Sequence, residues 1–205
     1  MVLAVVAALA AVGCSHAPPT DSSSNSGAVT GAVIMQDNGE YRKAFDLNGD
    51  GKPDAFEYYA QAKDDKGVVQ KDKEGKPLIG RLLRKEFDLN LDGKVDFWRW
   101  YDEKEHVTKE AVDKDFDGKV DRISYFEKQQ RVKEEAEFDA EQKPHKWIHY
   151  EKNAIAEVER DLHGTGKPDY FEYWEGGVID RIGIDRKGTG TVDFWESNPE
   201  SADRK

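Results

Sequence analysis

Cysteine is almost missing from this chain of 205 residues: Cys14 is the only one. No intramolecular disulfide can form, so something else must staple the fold. Long hydrophobic runs are missing too. The apolar stretch MVLAVVAALAAVGC at residues 1–14 is shorter than the roughly 20 residues that a bilayer crossing needs. Positive charge is in deficit, with 31 Lys and Arg against 42 Asp and Glu, a formal net charge of −11. Such a surface repels phosphate backbones, which excludes nucleic acid as a partner, and it offers oxygen ligands to hard cations. Hydrophobic residues make up only 37% and charged ones 36%, so the core is thin or spread along the molecule. The chain carries no nucleophile motif, phosphate loop or Gly-rich dinucleotide fingerprint, which points away from an enzyme. Aromatics, at 11%, are plentiful enough to exclude a disordered tail.

The run before Cys14 has the length of a signal-peptide core, and residues 1–13 read as that segment. Ala11-Val12-Gly13-Cys14 resembles a bacterial lipobox. The resemblance implies lipidation of Cys14, a membrane anchor and an outer-membrane lipoprotein, periplasmic or surface-exposed. The composition of the next stretch, HAPPTDSSSNSGAVTG, is that of a flexible tether, assigned to residues 14–38 together with the lipidated cysteine. A repeat domain over 39–197 and a tail over 198–205 complete the division.

The repeat announces itself in FDLNGDGKPDAFEYY from Phe45, which recurs from Phe87, Val112, Arg160 and Ile184. The leading aspartates are Asp46, Asp88, Asp113, Asp161 and Asp185, so a unit of about 24 residues fits once a degenerate copy, FDAEQKPHKWIHY from Phe138, fills the longest gap. The gap from Asp46 to Asp88 contains only a fragment of the pattern, KEGKP at 73–77. After each loop apolar and polar residues alternate, as in Phe56, Glu57, Tyr58 and in Trp98, Arg99, Trp100. Period two with aromatics is a strand signal. Each unit therefore reads as strand, turn, strand, Asp-rich loop. The fold class is all-β, an antiparallel meander of repeated hairpins, either a twisted single sheet or a solenoid-like coil. The aromatics divide between two faces, Phe56, Tyr58, Trp98, Trp100 and Tyr173 on one and Tyr59, Phe97, Tyr101, Tyr170 and Trp174 on the other. Packing of one face against a second layer is expected.

The loops carry the chemistry. Acidic or amide groups at positions 1, 3, 5 and 9, a backbone carbonyl at 7 and a glycine at 6 suit a cation that takes six to eight oxygens. Three loops meet this specification: Asp46, Asn48, Asp50, Asp54; Asp88, Asn90, Asp92, Asp96; and Asp113, Asp115, Asp117, Asp121. In the fourth and fifth, His163 and Thr165, then Lys187 and Thr189, replace the groups at 3 and 5. Those loops read as metal-free bends held by Asx-type hydrogen bonds. His145 and His149 share a strand face and form a weaker zinc candidate.

The pattern D-x-[DN]-x-D-G-x-x-D resembles the loops of EF-hands, thrombospondin type 3 repeats and FG-GAP repeats. What the resemblance implies is calcium at about three sites. An EF-hand also places a ligand Glu at position 12. Here Glu57 stands at that place, but so do Glu172 and Glu196 behind degenerate loops, and Arg99 and Ser124 behind full ones. Glu57 is therefore read as a strand residue. The leading expectation is a calcium-binding, non-enzymatic structural or interaction module with a protein or glycan partner. A carbohydrate- or cell-wall-binding protein using aromatic ladders is the alternative, and an EF-hand calcium sensor the third reading.

Overall fold

The computed structural model describes residues 33–198; the signal-peptide and lipidation assignments, and all of the tail but Asn198, lie outside them. Thirteen strands form one open antiparallel sheet whose spatial order is the chain order. They are β1 Val33–Met35, β2 Tyr41–Phe45, β3 Ala55–Gln61, β4 Ile79–Phe87, β5 Phe97–Tyr101, β6 Val107–Val112, β7 Arg122–Glu127, β8 Gln130–Phe138, β9 Pro144–Glu151, β10 Ala154–Arg160, β11 Tyr170–Glu175, β12 Val178–Ile184 and β13 Phe194–Ser197. There is no helix among the described residues, so no loop is framed as in an EF-hand. The domain also begins earlier than its expected start, because β1 pairs with β2 inside the stretch assigned to the tether.

Every Asp-rich loop leaves an even-numbered strand and enters the next odd one, which puts all of them on one edge. The opposite edge holds tight hairpins such as Gly176-Gly177, both at positive φ, between paired Glu175 and Val178. The degenerate copy shrinks to a five-residue turn, 139–143, in which Asp139 Oδ1 accepts the Lys143 N–H at 2.8 Å. The long first gap has another cause. Residues 62–78 are an insertion in the β3–β4 hairpin, built from two short turns in which Asp64 and Asp72 each accept backbone N–H groups two and four residues on. The insertion also bonds to the sheet, since the Tyr41 hydroxyl donates to the Pro77 carbonyl.

No second layer covers either face among the described residues, which corrects the expected two-layer core. Two ladders of side chains take its place. Arg42, Tyr58, Arg84, Trp100, Lys109 and Tyr125 are successive cross-strand neighbours on one face. The Arg84 guanidinium lies 3.5 Å from the Tyr58 ring centre and Lys109 Nζ 4.0 Å from that of Trp100. Such contacts contribute about 0.5–1 kcal/mol each when exposed. The other face carries ion pairs, Lys85 with Glu57 at 2.8 Å and Arg99 with Glu110 at 2.6 Å. Rings and charged stems cover one another, so few side chains are fully enclosed; Tyr41, Ala111 and Val158 are among them. Tyr59, Tyr101 and Trp174 sit where the register shifts, so simple alternation does not place them.

Candidate metal centre

A single backbone design builds all five nine-residue loops. The carboxylate at position 1 turns back and accepts the N–H of the position 6 glycine: Asp46 from Gly51 at 2.8 Å, Asp88 from Gly93 at 2.7 Å, Asp113 from Gly118 at 2.7 Å, Asp161 from Gly166 at 2.6 Å and Asp185 from Gly190 at 2.5 Å. Its second oxygen takes the N–H at position 4 or 5, as in Phe116 to Asp113 and Thr165 to Asp161. These glycines hold φ between 81° and 91°, a left-handed conformation that glycine alone adopts without penalty. Asp88, Asp113, Asp161 and Asp185 are buried, so the bonds also offset desolvation of the carboxylate. At Asp161 burial pushes the pKa up, but the N–H groups of Thr165 and Gly166 and the nearby His145 outweigh it and hold the carboxyl below its usual range.

Position 9 faces inward. Asp54 Oδ2 accepts the N–H groups of Leu47 and Asn48 at 2.8 and 3.2 Å, Asp96 those of Leu89 and Asn90 at 2.7 and 3.3 Å, and Asp121 that of Lys114 at 2.5 Å. Asp169, in a loop without acidic groups at 3 and 5, makes the same bond to the Leu162 N–H at 2.9 Å. This bond therefore needs no metal. The loops are also tied base to base: the Asp88 N–H donates to the Asp54 carbonyl, Asp113 to Asp96 and Asp185 to Asp169.

Positions 3 and 5 make the lightest local bonds and point outward. Asn48 accepts from the Asp50 N–H, Asn90 from that of Asp92 and Asp115 from that of Asp117, while Asp50, Asp92 and Asp117 accept from the lysine N–H at position 7. In the third loop the groups converge. Asp113, Asp115 and Asp117 each offer a carboxylate oxygen within 4.8 Å of the others, an arrangement that can hold a metal ion. Asp121 is not part of it. The first and second loops have Asn48 and Asn90 at position 3, so a like grouping there comprises two carboxylates and a carboxamide. Glu57 stays on its strand, bound by Lys85 Nζ and accepting the Tyr59 hydroxyl at 2.6 Å. Burial alone would raise its pKa, but these partners hold it low.

The last loops bring cations of their own. His163 Nδ1 contacts Asp169 Oδ2, and this bond raises the imidazole pKa. Arg186 Nε lies 3.0 Å from Asp193 Oδ1. His145 donates to the Asp161 carbonyl and faces Asp139, so its pKa is also raised. The zinc candidate is corrected here: His145 and His149 stand four residues apart on β9, about 13 Å along an extended strand. His149 instead faces Glu159 at 3.5 Å. Sequence reasoning missed the inward role of position 9, although its retention in the degenerate loops was the available signal.

No family model matches the chain, and no curated protein matches it. Part of the sheet is similar to a chain in the crystal structure of accessory secretory protein 1, 2 and 3 of Streptococcus pneumoniae, with 14% identity and a TM-score of 0.38 over 56% of this chain and 19% of that one. A chain of the glycosylation-associated Gap123 complex of Streptococcus agalactiae aligns with 18% identity and a TM-score of 0.41 over 51% of this chain and 20% of that one. This chain thus spans about a fifth of each. Likenesses of this size assign neither family nor function.

Proposed function

We propose that the protein is a calcium-binding, non-enzymatic module whose loops 46–54, 88–96 and 113–121 each take one ion. The observation that carries this reading is the convergence of Asp113, Asp115 and Asp117, on a loop design repeated in its two predecessors. Three carboxylates this close repel one another unless a cation joins them. All-oxygen ligands with no imidazole or thiolate favour calcium over zinc. Side chains at positions 1, 3 and 5 and the carbonyl at 7 supply fewer than the six to eight oxygens calcium takes, and water completes the shell. At dissociation constants of about 10⁻⁴ to 10⁻³ M, millimolar calcium adds roughly 0.4 to 1.4 kcal/mol per site. That is a staple for a thin single-layer sheet. Differential scanning calorimetry with calcium and then with chelator tests it: a rise in melting temperature with calcium is expected, and identical melting removes the calcium reading.

Anchoring through Cys14 to a bacterial outer membrane belongs to the same proposal, on the lipobox-like residues alone. Intact mass of the wild-type protein and of Cys14→Ser from a bacterial membrane fraction checks it; equal masses, apart from the substitution, would remove the anchor. Cations already cover the Tyr58 and Trp100 ring faces, so the ladders give the glycan reading no support.

A further inference from the structure

Position 4 of every nine-residue loop is left-handed. Glycine fills it at Gly49, Gly164 and Gly188, but Leu91 and Phe116 hold it at φ 65° and 63°. A bulky side chain is strained there, and glycine would not be. Packing does not compensate, because Leu91 is 51% exposed and Phe116 40%. Leu47 and Leu89, at position 2 of the first two loops, are 67% and 54% exposed. The base-to-base bonds from Asp88 to Asp54 and from Asp113 to Asp96 set these loops side by side. Four large exposed apolar side chains therefore sit on neighbouring loops at one edge of the sheet, and two of them, Leu91 and Phe116, occupy a left-handed position that glycine fills in the other loops.

Their surroundings are acidic. The first two loops carry three aspartates to one lysine and the third four to two, a net charge of −2 in each, and Asp50, Asp92, Asp115 and Asp117 are exposed. The last nine-residue loop, with Gly188, Arg186 and Lys187, has neither the apolar residue at position 4 nor the excess of acid. Leu162 keeps the exposed position 2 in the fourth loop, where Gly164 and His163 replace the rest.

We propose that the row formed by Leu47, Leu89, Leu91 and Phe116 is a docking surface for a basic, amphipathic protein segment. An apolar row flanked by carboxylates complements apolar residues flanked by Lys or Arg. Successive loops are two strands apart, about 9.5 Å. That is close to the rise of seven helical residues, about 10.5 Å, so a helix lying along the edge repeats its apolar contact once per heptad. The surface goes beyond the calcium reading and does not depend on it.

The test is a binding titration of the full chain in chelator, at physiological salt, with a synthetic helical peptide of Leu at heptad a and d positions and Lys elsewhere. A Leu/Glu peptide of the same pattern and phosphatidylglycerol vesicles are the comparison probes. The Leu/Lys peptide is expected to bind, and the variant Leu47→Ser/Leu89→Ser/Leu91→Ser/Phe116→Ser to bind about tenfold more weakly or worse. These side chains are exposed, so the circular dichroism spectrum is expected to stay unchanged. Val68→Ser, on the opposite edge and 60% exposed, is expected to bind as wild type. Equal binding by the quadruple variant, or binding of the vesicles in preference to the peptide, would overturn the docking surface. Calcium separates the two proposals. Weakening of peptide binding by calcium supports both, because the ion neutralises the same carboxylates. Peptide binding indifferent to calcium keeps the docking surface and counts against the metal.

Discussion

The first three nine-residue loops and the last two share a backbone and differ in their charge. In all five, position 1 accepts the glycine N–H at position 6. Positions 3 and 5 are where the halves part: Asn or Asp with Asp in the first three, His163 with Thr165 and Lys187 with Thr189 in the last two. The last loops hold a positive side chain against position 9, His163 on Asp169 and Arg186 on Asp193. No such ion pair forms within the first three loops among the described residues. The bend is thus set by the residues the loops share, Asp at position 1 and Gly at position 6, whereas the internal cation comes from position 3 in the fourth loop, His163, and from position 2 in the fifth, Arg186.

The largest effects are expected from removing what the two sets of loops share. Asp113→Ala and Asp161→Ala each delete a buried carboxylate that closes a turn, and each is expected to lower stability by about 2–4 kcal/mol, read from urea denaturation. Only Asp113→Ala should also reduce the response to calcium. A smaller effect is expected from exchanging what differs. His163→Asn/Thr165→Asp converts the fourth loop to the sequence of the first and is expected to add one calcium equivalent in a calorimetric titration, whereas Asn90→His/Asp92→Thr removes one. If both exchanges leave the stoichiometry unchanged, positions 3 and 5 do not decide metal binding.

Protonation gives the smallest effects, with opposite signs. The Asp169 carboxylate raises the His163 imidazole above its ordinary value of about 6.5. Its contribution is therefore complete below that pH and is lost as pH rises through the folded value. NMR titration should show this histidine titrating high and Asp169→Asn bringing it back. The Asp161 and Asp185 pKa values are held low. At both, burial opposes the shift, and the N–H groups of Thr165 and Gly166, or Thr189 and Gly190, overcome it. Their contribution is present above the usual carboxylate range and fades as pH falls through the lowered values. Acid should accordingly loosen the last two loops only below the usual aspartate range. A transition in backbone amide shifts of Gly166 and Gly190 near pH 5 would contradict this.

Much of the fold was legible because the strand period is short and the repeat is long. Phe56 and Tyr58, or Trp98 and Trp100, announce one face, and their cross-strand pairing places them there. The degenerate turn at Asp139 was legible from spacing. The insertion at 62–78 was not, since its Asp-turns imitate fragments of the loop motif. The missing second layer was not legible either. Alternating rings and cations cover each other only when Tyr58 meets Arg84 and Trp100 meets Lys109 across strands, and that depends on register, which no single strand contains. In the loops, the acidic spacing marked the convergence of Asp113, Asp115 and Asp117 but gave position 9 the same standing. Only the direction of the Asp54, Asp96 and Asp121 side chains separates turn-holders from outward oxygens. The left-handed Leu91 and Phe116 were invisible for the same reason, because a loop written with leucine looks unstrained until its φ is known.

The claim that positions 3 and 5 make the first three loops into cation sites is tested most directly by calcium titration of the protein, followed by calorimetry. About three equivalents are expected, with dissociation constants near 10⁻⁴ to 10⁻³ M, reversed by chelator. A titration with no binding heat and no change in melting temperature would contradict it.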